Sequence, residues 1–277
     1  MCNEYPLFLT VLSPGCLWRN SDVGVVSRGE EGIVIKDIAV LSSSRVLVTD
    51  WTNKTVRLVD SQYGGVVAKL CLTTQPFKLC LVRDGRAVVT LPQETRIQFI
   101  CIDRDTLTPD RSVDMNGQVV GIAARDDHLV VSYQEPGRVE MTTMQGTVTR
   151  KLDNQTAGKE LFMHPNNIAI SESGYIFFSD FVTHIVTQID GNLQVVKTFT
   201  SPLMRAVSGI VFVNSTQLLL TGCKSHNILV LDTTTGTVTS LLGLAEGMKD
   251  PVSLGWCQFS KALYVSRLVP VKTITKF

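Results

Sequence analysis

Three recurrences in the sequence predict an all-β, six-bladed β-propeller of four-stranded antiparallel blades. A short β-type run is repeated six times, an apolar segment precedes each copy, and a third strand follows each copy. The runs begin at Arg45 (RVLVTD), Arg86 (RAVVTL), His128 (HLVVSY), Tyr175 (YIFFSD), Gln217 (QLLLTG) and Ala262 (ALYVSR), with successive starts 41, 42, 47, 42 and 45 residues apart. That interval suits one four-stranded blade per copy.

The first strand of each blade is the apolar segment: KDIAVL from Lys36, FKLCLV from Phe77, VVGIAA from Val119, NNIAIS from Asn166, VSGIVF from Val207 and VSLGWC from Val252. It starts 9 residues before the repeated run in four copies and 10 in two. The third strand starts 10 residues after the start of the second in all six: Thr55, Arg96, Arg138, Ile185, Asn227 and Lys272. A fourth strand follows in five copies, as GVVAKLCL, DRSVDM, TVTRKLD, LQVVKTF and TVTSLLG. Val, Ile, Leu, Phe and Thr fill the runs and favour extended chain. Gly, Asp, Asn and Ser fill many gaps and favour turns. No stretch carries sustained helical spacing with caps, so almost no helix is expected.

The sixth copy stops at Phe277, after its third strand. An N-terminal strand is expected to supply the missing edge, and Asp22-Val23-Gly24-Val25-Val26-Ser27 has the composition for it. It is expected to pair with Lys272–Phe277 and close the ring, because an open ring leaves an edge that invites aggregation. Residues 1–16 are then an irregular lead-in, and residues 17–277 the propeller.

The totals exclude several classes. At 44% hydrophobic and 18% charged residues the chain is globular rather than disordered. A net charge of +1 argues against bulk capture by nucleic acid or an anionic membrane. The seven cysteines are scattered without a C-x-x-C pair, so no zinc knuckle is expected and the thiols are expected to be reduced. No apolar run approaches a membrane span. Glu4 precedes the apolar run Tyr5–Leu12 where a secretory signal carries positive charge, so a cytoplasmic location is expected.

Val48-Thr49-Asp50-Trp51-Thr52-Asn53-Lys54-Thr55-Val56-Arg57-Leu58-Val59-Asp60 resembles the NHL repeat, in which D-x-x-N-[KHR] links the second and third strands. Val88-Val89-Thr90-Leu91-Pro92, Ile97-Gln98-Phe99-Ile100 and Thr106-Leu107-Thr108-Pro109-Asp110-Arg111-Ser112 resemble the propeller tails of invertebrate tripartite-motif (TRIM) proteins. The resemblance covers roughly residues 20–277. It implies a substrate- or partner-recognition propeller of an E3 ubiquitin ligase. The chain carries no RING or B-box ligand spacing and no coiled-coil heptads, so by itself it is not expected to transfer ubiquitin or to be an enzyme.

A protein partner is therefore expected, with no cofactor, metal, membrane or small-molecule substrate. Single-stranded RNA is the alternative partner, because some propellers of this type bind RNA on a basic face. A second alternative comes from His164-Pro165-Asn166-Asn167-Ile168-Ala169, which resembles the P-N-G-[IL]-A segment of calcium-dependent gluconolactonase-like hydrolases. The position matching that family's Asp is Ser208, and hard cations need several oxygen ligands.

Loops from every blade converge on the two faces of a propeller, so partner contacts are expected there. The second-to-third-strand loops and the blade-to-blade connections share one face. The candidates on it are Trp51, Lys54, Arg96, Tyr133, Arg138, Phe181, His184, Lys224, His226 and Lys272, chosen because aromatic and cationic side chains anchor interfaces. Asp50 and Asp180 are expected to bond turn backbone instead. The insert Asp153–Met163 is the longest connection and is expected to project from the same face.

Overall fold

A computed structural model describes residues 8–13, 19–24, 32–158 and 161–268. The N-terminal strands are β1 (Phe8–Ser13) and β2 (Arg19–Gly24). The first blade is β3 (Ile35–Val40), β4 (Arg45–Asp50), β5 (Thr55–Asp60) and β6 (Gly65–Cys71). The second is β7 (Leu79–Val82), β8 (Arg86–Leu91), β9 (Arg96–Asp103) and β10 (Thr106–Asp114). The third is β11 (Val119–Arg125), β12 (His128–Tyr133), β13 (Arg138–Thr143) and β14 (Val148–Asp153). The fourth is β15 (Pro165–Ile170), β16 (Ile176–Asp180), β17 (Val186–Ile189) and β18 (Val195–Phe199). The fifth is β19 (Val207–Phe212), β20 (Gln217–Gly222), β21 (Asn227–Asp232) and β22 (Val238–Leu242). Last come β23 (Pro251–Cys257) and β24 (Ala262–Arg267).

This corrects the expected set of six blades. Five blades, not six, are built from four consecutive strands. The remaining four-stranded sheet is composite, in the order β2-β1-β24-β23, with two strands from each end of the chain. β1 pairs antiparallel with β24 through Thr10↔Val265, Val11↔Tyr264 and Leu12↔Leu263. It holds the place expected for Lys272–Phe277, and it lies inside the stretch expected to be an irregular lead-in. The expected pairing of Asp22–Ser27 with Lys272–Phe277 falls partly outside the described residues; Asp22 instead pairs with Thr10. The physical reason is competition for one edge. The run Phe8-Leu9-Thr10-Val11-Leu12 has more apolar, pleat-forming character than Lys272-Thr273-Ile274-Thr275-Lys276.

The innermost strands β3, β7, β11, β15, β19 and β23 touch in that order, and β23 returns to β3. They surround a central channel of about 280 Å³. Hydrophobic clusters lie between adjacent sheets, one at each boundary. The core is thus a ring of interfaces, which explains why strands two and three of each blade are buried on both sides.

One residue type in the repeat has a consistent task. Every second strand carries Thr or Ser at its fifth place in the repeated run: Thr49, Thr90, Ser132, Ser179, Thr221 and Ser266. Five of these hydroxyls donate across a boundary to a carbonyl at or beside the next innermost strand. The acceptors are Phe77 (3.0 Å), Val120 (3.0 Å), Pro165 (2.9 Å), Ser208 (2.9 Å) and Val252 (3.2 Å). The innermost strand slips register opposite this residue in five sheets. A slip frees a backbone N–H, and the hydroxyl accepts it in several cases. Gly121, Gly209 and Ser253 donate to Ser132, Thr221 and Ser266 at 3.0, 2.7 and 3.1 Å. One hydroxyl therefore satisfies a bulge within its sheet and ties that sheet to the next.

The innermost strands also approach closely. A Cβ on Gly209 would lie 2.9 Å from the Cα of Ser253 and 3.0 Å from the backbone nitrogen of Leu254. Both are backbone atoms and cannot rotate aside. Gly209→Ala is expected to destabilise the protein by about 1–3 kcal/mol through overpacking. Urea unfolding measures it, and an unchanged midpoint would mean that β19 and β23 have room to separate.

Candidate functional site

Two of the loops between second and third strands, in the first and fourth blades, are built alike. Asp50 Oδ1 accepts the backbone N–H groups of Thr52 (3.1 Å) and Asn53 (3.3 Å). Asp180 Oδ1 accepts those of Val182 (3.0 Å) and Thr183 (2.9 Å). Both aspartates are buried turn builders, as their sequence context implies. The turn leaves its last residue in the left-handed region: Lys54 at φ 52°, Thr95 at 50°, His184 at 63° and His226 at 54°.

The two histidines then reach the next sheet. His184 Nδ1 accepts the backbone N–H of Ala206 at 3.0 Å, and His226 Nδ1 accepts that of Asp250 at 3.2 Å. Ala206 and Asp250 are themselves left-handed, at φ 52° and 46°, each one residue before an innermost strand. Each imidazole thus clasps a tight entry turn across a boundary. His184 Nδ1 also lies 3.1 Å from the Phe181 carbonyl oxygen, and His226 Nδ1 lies 3.1 Å from Asp250 Oδ1.

His184, Arg205, Lys224, His226 and Asp250 line one cleft of about 710 Å³ on this face. Its wall joins the fourth blade, the fifth blade and the composite sheet. Lys224 Nζ lies 6.0 Å from the Phe181 ring centroid, so Phe181 flanks the cleft. Nearby, Trp51 and Phe77 meet edge to face at 5.8 Å, and Lys36 Nζ stands 5.6 Å from the Trp51 ring. Burial, reinforced by the ammonium of Lys78, holds the Lys36 amine below its usual range. Burial, and then the charge of Asp250, pushes the Cys223 thiol up, so it is not poised as a thiolate nucleophile.

The structure divides the expected contact residues. Lys54 and Lys224 are exposed, and Trp51, Phe181, His184 and His226 are half-buried on the rim. Arg96 is half-buried and lies beside Glu94 (3.5 Å) and Asp114 (3.0 Å). Tyr133 and Arg138 lie inside the third blade. Tyr133 is fully buried, with the Arg138 guanidinium 3.6 Å from its ring centroid. Arg138 is buried too, donating to Glu140 at 2.8 Å and to the carbonyls of Pro136 and Asn116. Their side chains hold the third blade together and present no surface. Lys272 lies outside the described residues.

The insert also differs from expectation. Leu161 and Phe162 turn inward, Phe162 against Phe178 at 4.9 Å, while Asn154 Oδ1 accepts both their N–H groups. Sequence reasoning missed Arg205, Asp250 and Lys36, because it took candidates from the hairpin loops alone. The available signal was the place of Arg205 and Asp250 just before innermost strands, and of Lys36 at the start of one, on the same face.

Asn166, the residue of the calcium resemblance, donates from Nδ2 to Ser208 Oγ at 2.9 Å, and both are buried. Among the described residues no group of three or more His, Cys, Asp or Glu side chains is arranged to hold a metal ion. Nor is any helix there long and apolar enough to cross a membrane.

No known family profile matches the chain, and no curated protein matches it. Solved structures do. Virginiamycin B lyase from Staphylococcus aureus superposes with a TM-score of 0.64 at 15% identity, covering 84% of this chain and 77% of the lyase. A protein of unknown function from Bacteroides caccae gives 0.67 at 12% identity, covering 90% and 98%. A chain of a nidogen/laminin complex gives 0.63 at 14% identity, covering 86% and 94%. At these identities the likeness is one of fold.

Proposed function

We propose that this propeller is a non-catalytic recognition module that binds a protein partner through the face bearing the second-to-third-strand loops. The observation that carries this reading is the cleft of His184, Arg205, Lys224 and His226. It gathers binding groups from adjoining sheets onto one rim, flanked by Phe181. Its chemistry suits capture rather than turnover: the neighbouring Cys223 is held as a thiol, and each histidine uses Nδ1 as a structural clasp. The finer reading, substrate recognition for a TRIM-type ubiquitin ligase in the cytoplasm, rests on the resemblance of Val48–Asp60 and the neighbouring strands. A RING-coding segment in the same transcript would support it.

Proximity labelling with the intact chain tests the module. The expected result is a reproducible set of labelled proteins that is lost in Arg205→Glu and Lys224→Glu. It should be kept when Tyr63→Ser or Phe259→Ser alters the exposed aromatics of the opposite face. If the opposite-face variants alone change the set, the binding face is misassigned. A face set that is RNA-dependent and lost on nuclease treatment would replace the protein partner by RNA.

A further inference from the structure

Several cations on or beneath this face have acidic company, whereas Lys36, Lys54, Arg205 and Lys224 make no ion pair among the described residues. Arg96 lies beside Glu94 and Asp114, Arg57 beside Asp50, Lys78 beside Asp37, and Arg138 beside Glu140. Arg205 and Lys224, both exposed, make no ion pair among the described residues, although the backbone nitrogen of Lys224 donates to the carbonyl of Arg205 at 3.2 Å. That backbone bond fixes the two residues side by side, where like charges repel. The single acid lining the cleft, Asp250, sits 3.1 Å from His226 Nδ1 on the clasp side of that ring. With Nδ1 engaged in each clasp, Nε2 is the ring nitrogen left to meet a ligand.

We propose that His184, Arg205, Lys224 and His226 form a subsite for a phosphate monoester, and that the partner segment this face recognises is phosphorylated. The proposal rests on the recognition reading above and adds its chemistry. A planar guanidinium and a mobile ammonium, flanked by two imidazoles, supply more donors than two carboxylate oxygens can use. The three terminal oxygens of a phosphate monoester can accept them all. A dianion also reverses the repulsion between Arg205 and Lys224. The volume of about 710 Å³ exceeds a phosphate and leaves room for the peptide that carries it. Phe181 and the more distant Trp51 supply apolar footing for flanking residues.

The test uses the full chain and three probes at one ionic strength: a short peptide with a central phosphoserine, the same peptide with glutamate there, and a single-stranded decauridine RNA. Calorimetry gives affinities, and the imidazole resonances of His184 and His226 report location. The phosphoserine peptide is expected to bind at least tenfold more tightly than the glutamate peptide and to shift both imidazoles. Arg205→Glu and Lys224→Glu are each expected to weaken it at least tenfold, with unchanged circular dichroism and urea midpoint, whereas Tyr63→Ser should not. Equal binding of the two peptides, no imidazole shift, or binding of the RNA alone overturns the proposal. Proximity labelling separates the two readings. A face-dependent partner set without phosphopeptide binding sinks the phosphate subsite and keeps the module. Phosphopeptide binding with a partner set indifferent to Arg205→Glu does the reverse.

Discussion

Asp50→Ala is expected to lower the stability of the protein by about 3–5 kcal/mol, the usual cost of breaking a buried ion pair by removing one partner. Asp50 Oδ2 meets Arg57 Nη2 at 2.6 Å, and neither side chain has measurable exposure. The same carboxylate receives the Asn53 side chain at 2.7 Å and the turn's N–H groups. Its removal therefore takes a carboxylate from a buried guanidinium, which also donates to Thr55 Oγ1 at 3.1 Å, and loosens the turn that presents Lys54. Urea unfolding should show the full loss in Asp50→Ala. A smaller loss in Asp50→Asn would separate the turn hydrogen bonds, which an amide oxygen can accept, from the charge. A drop under about 1 kcal/mol in both variants would mean that water reaches Arg57 and the site is not a dry pair.

Thr221→Val should cost about 2–4 kcal/mol although it conserves shape. The Thr221 hydroxyl accepts the N–H of Gly209 at 2.7 Å and donates to the carbonyl of Val252 at 3.2 Å, so valine leaves two buried backbone groups without this partner. Thr221→Ser keeps the hydroxyl and should lose much less. Thr239→Val, on the exposed outer strand β22, should change stability by less than about 0.5 kcal/mol. Equal effects of the valine and serine variants would assign the loss to packing and remove the hydroxyl's role as a tie between sheets.

Those two residues also show how far the sequence speaks. Thr221 was visible as the fifth residue of a recurring run, but only as a polar end to a strand. Its task needs a bulge in β19 and a carbonyl of β23, and neither is local to it. Asp50 was legible as a turn builder from D-x-x-N-K alone, while its burial against Arg57 depends on the neighbouring sheets. Arg138 and Tyr133 show the opposite failure. At a strand start after a turn, Arg138 has the composition of an interface anchor, yet Glu140 two residues along the same face neutralises it inside the blade.

By itself the sequence determined the strand content, the three registers of the first five repeats and the face on which the loops gather. These follow from hydrophobic period, turn residues and spacing, which are properties of neighbours in the chain. The tertiary structure decided how the last sheet is completed, with two strands from each end rather than three and one. That choice is between distant segments for one edge, and it is settled by strand pairing. It also decided which cations remain without an acidic partner. The cleft of His184, Arg205, Lys224 and His226 exists because a hairpin of one sheet meets the entry turn of the next, a juxtaposition that no single stretch of chain contains.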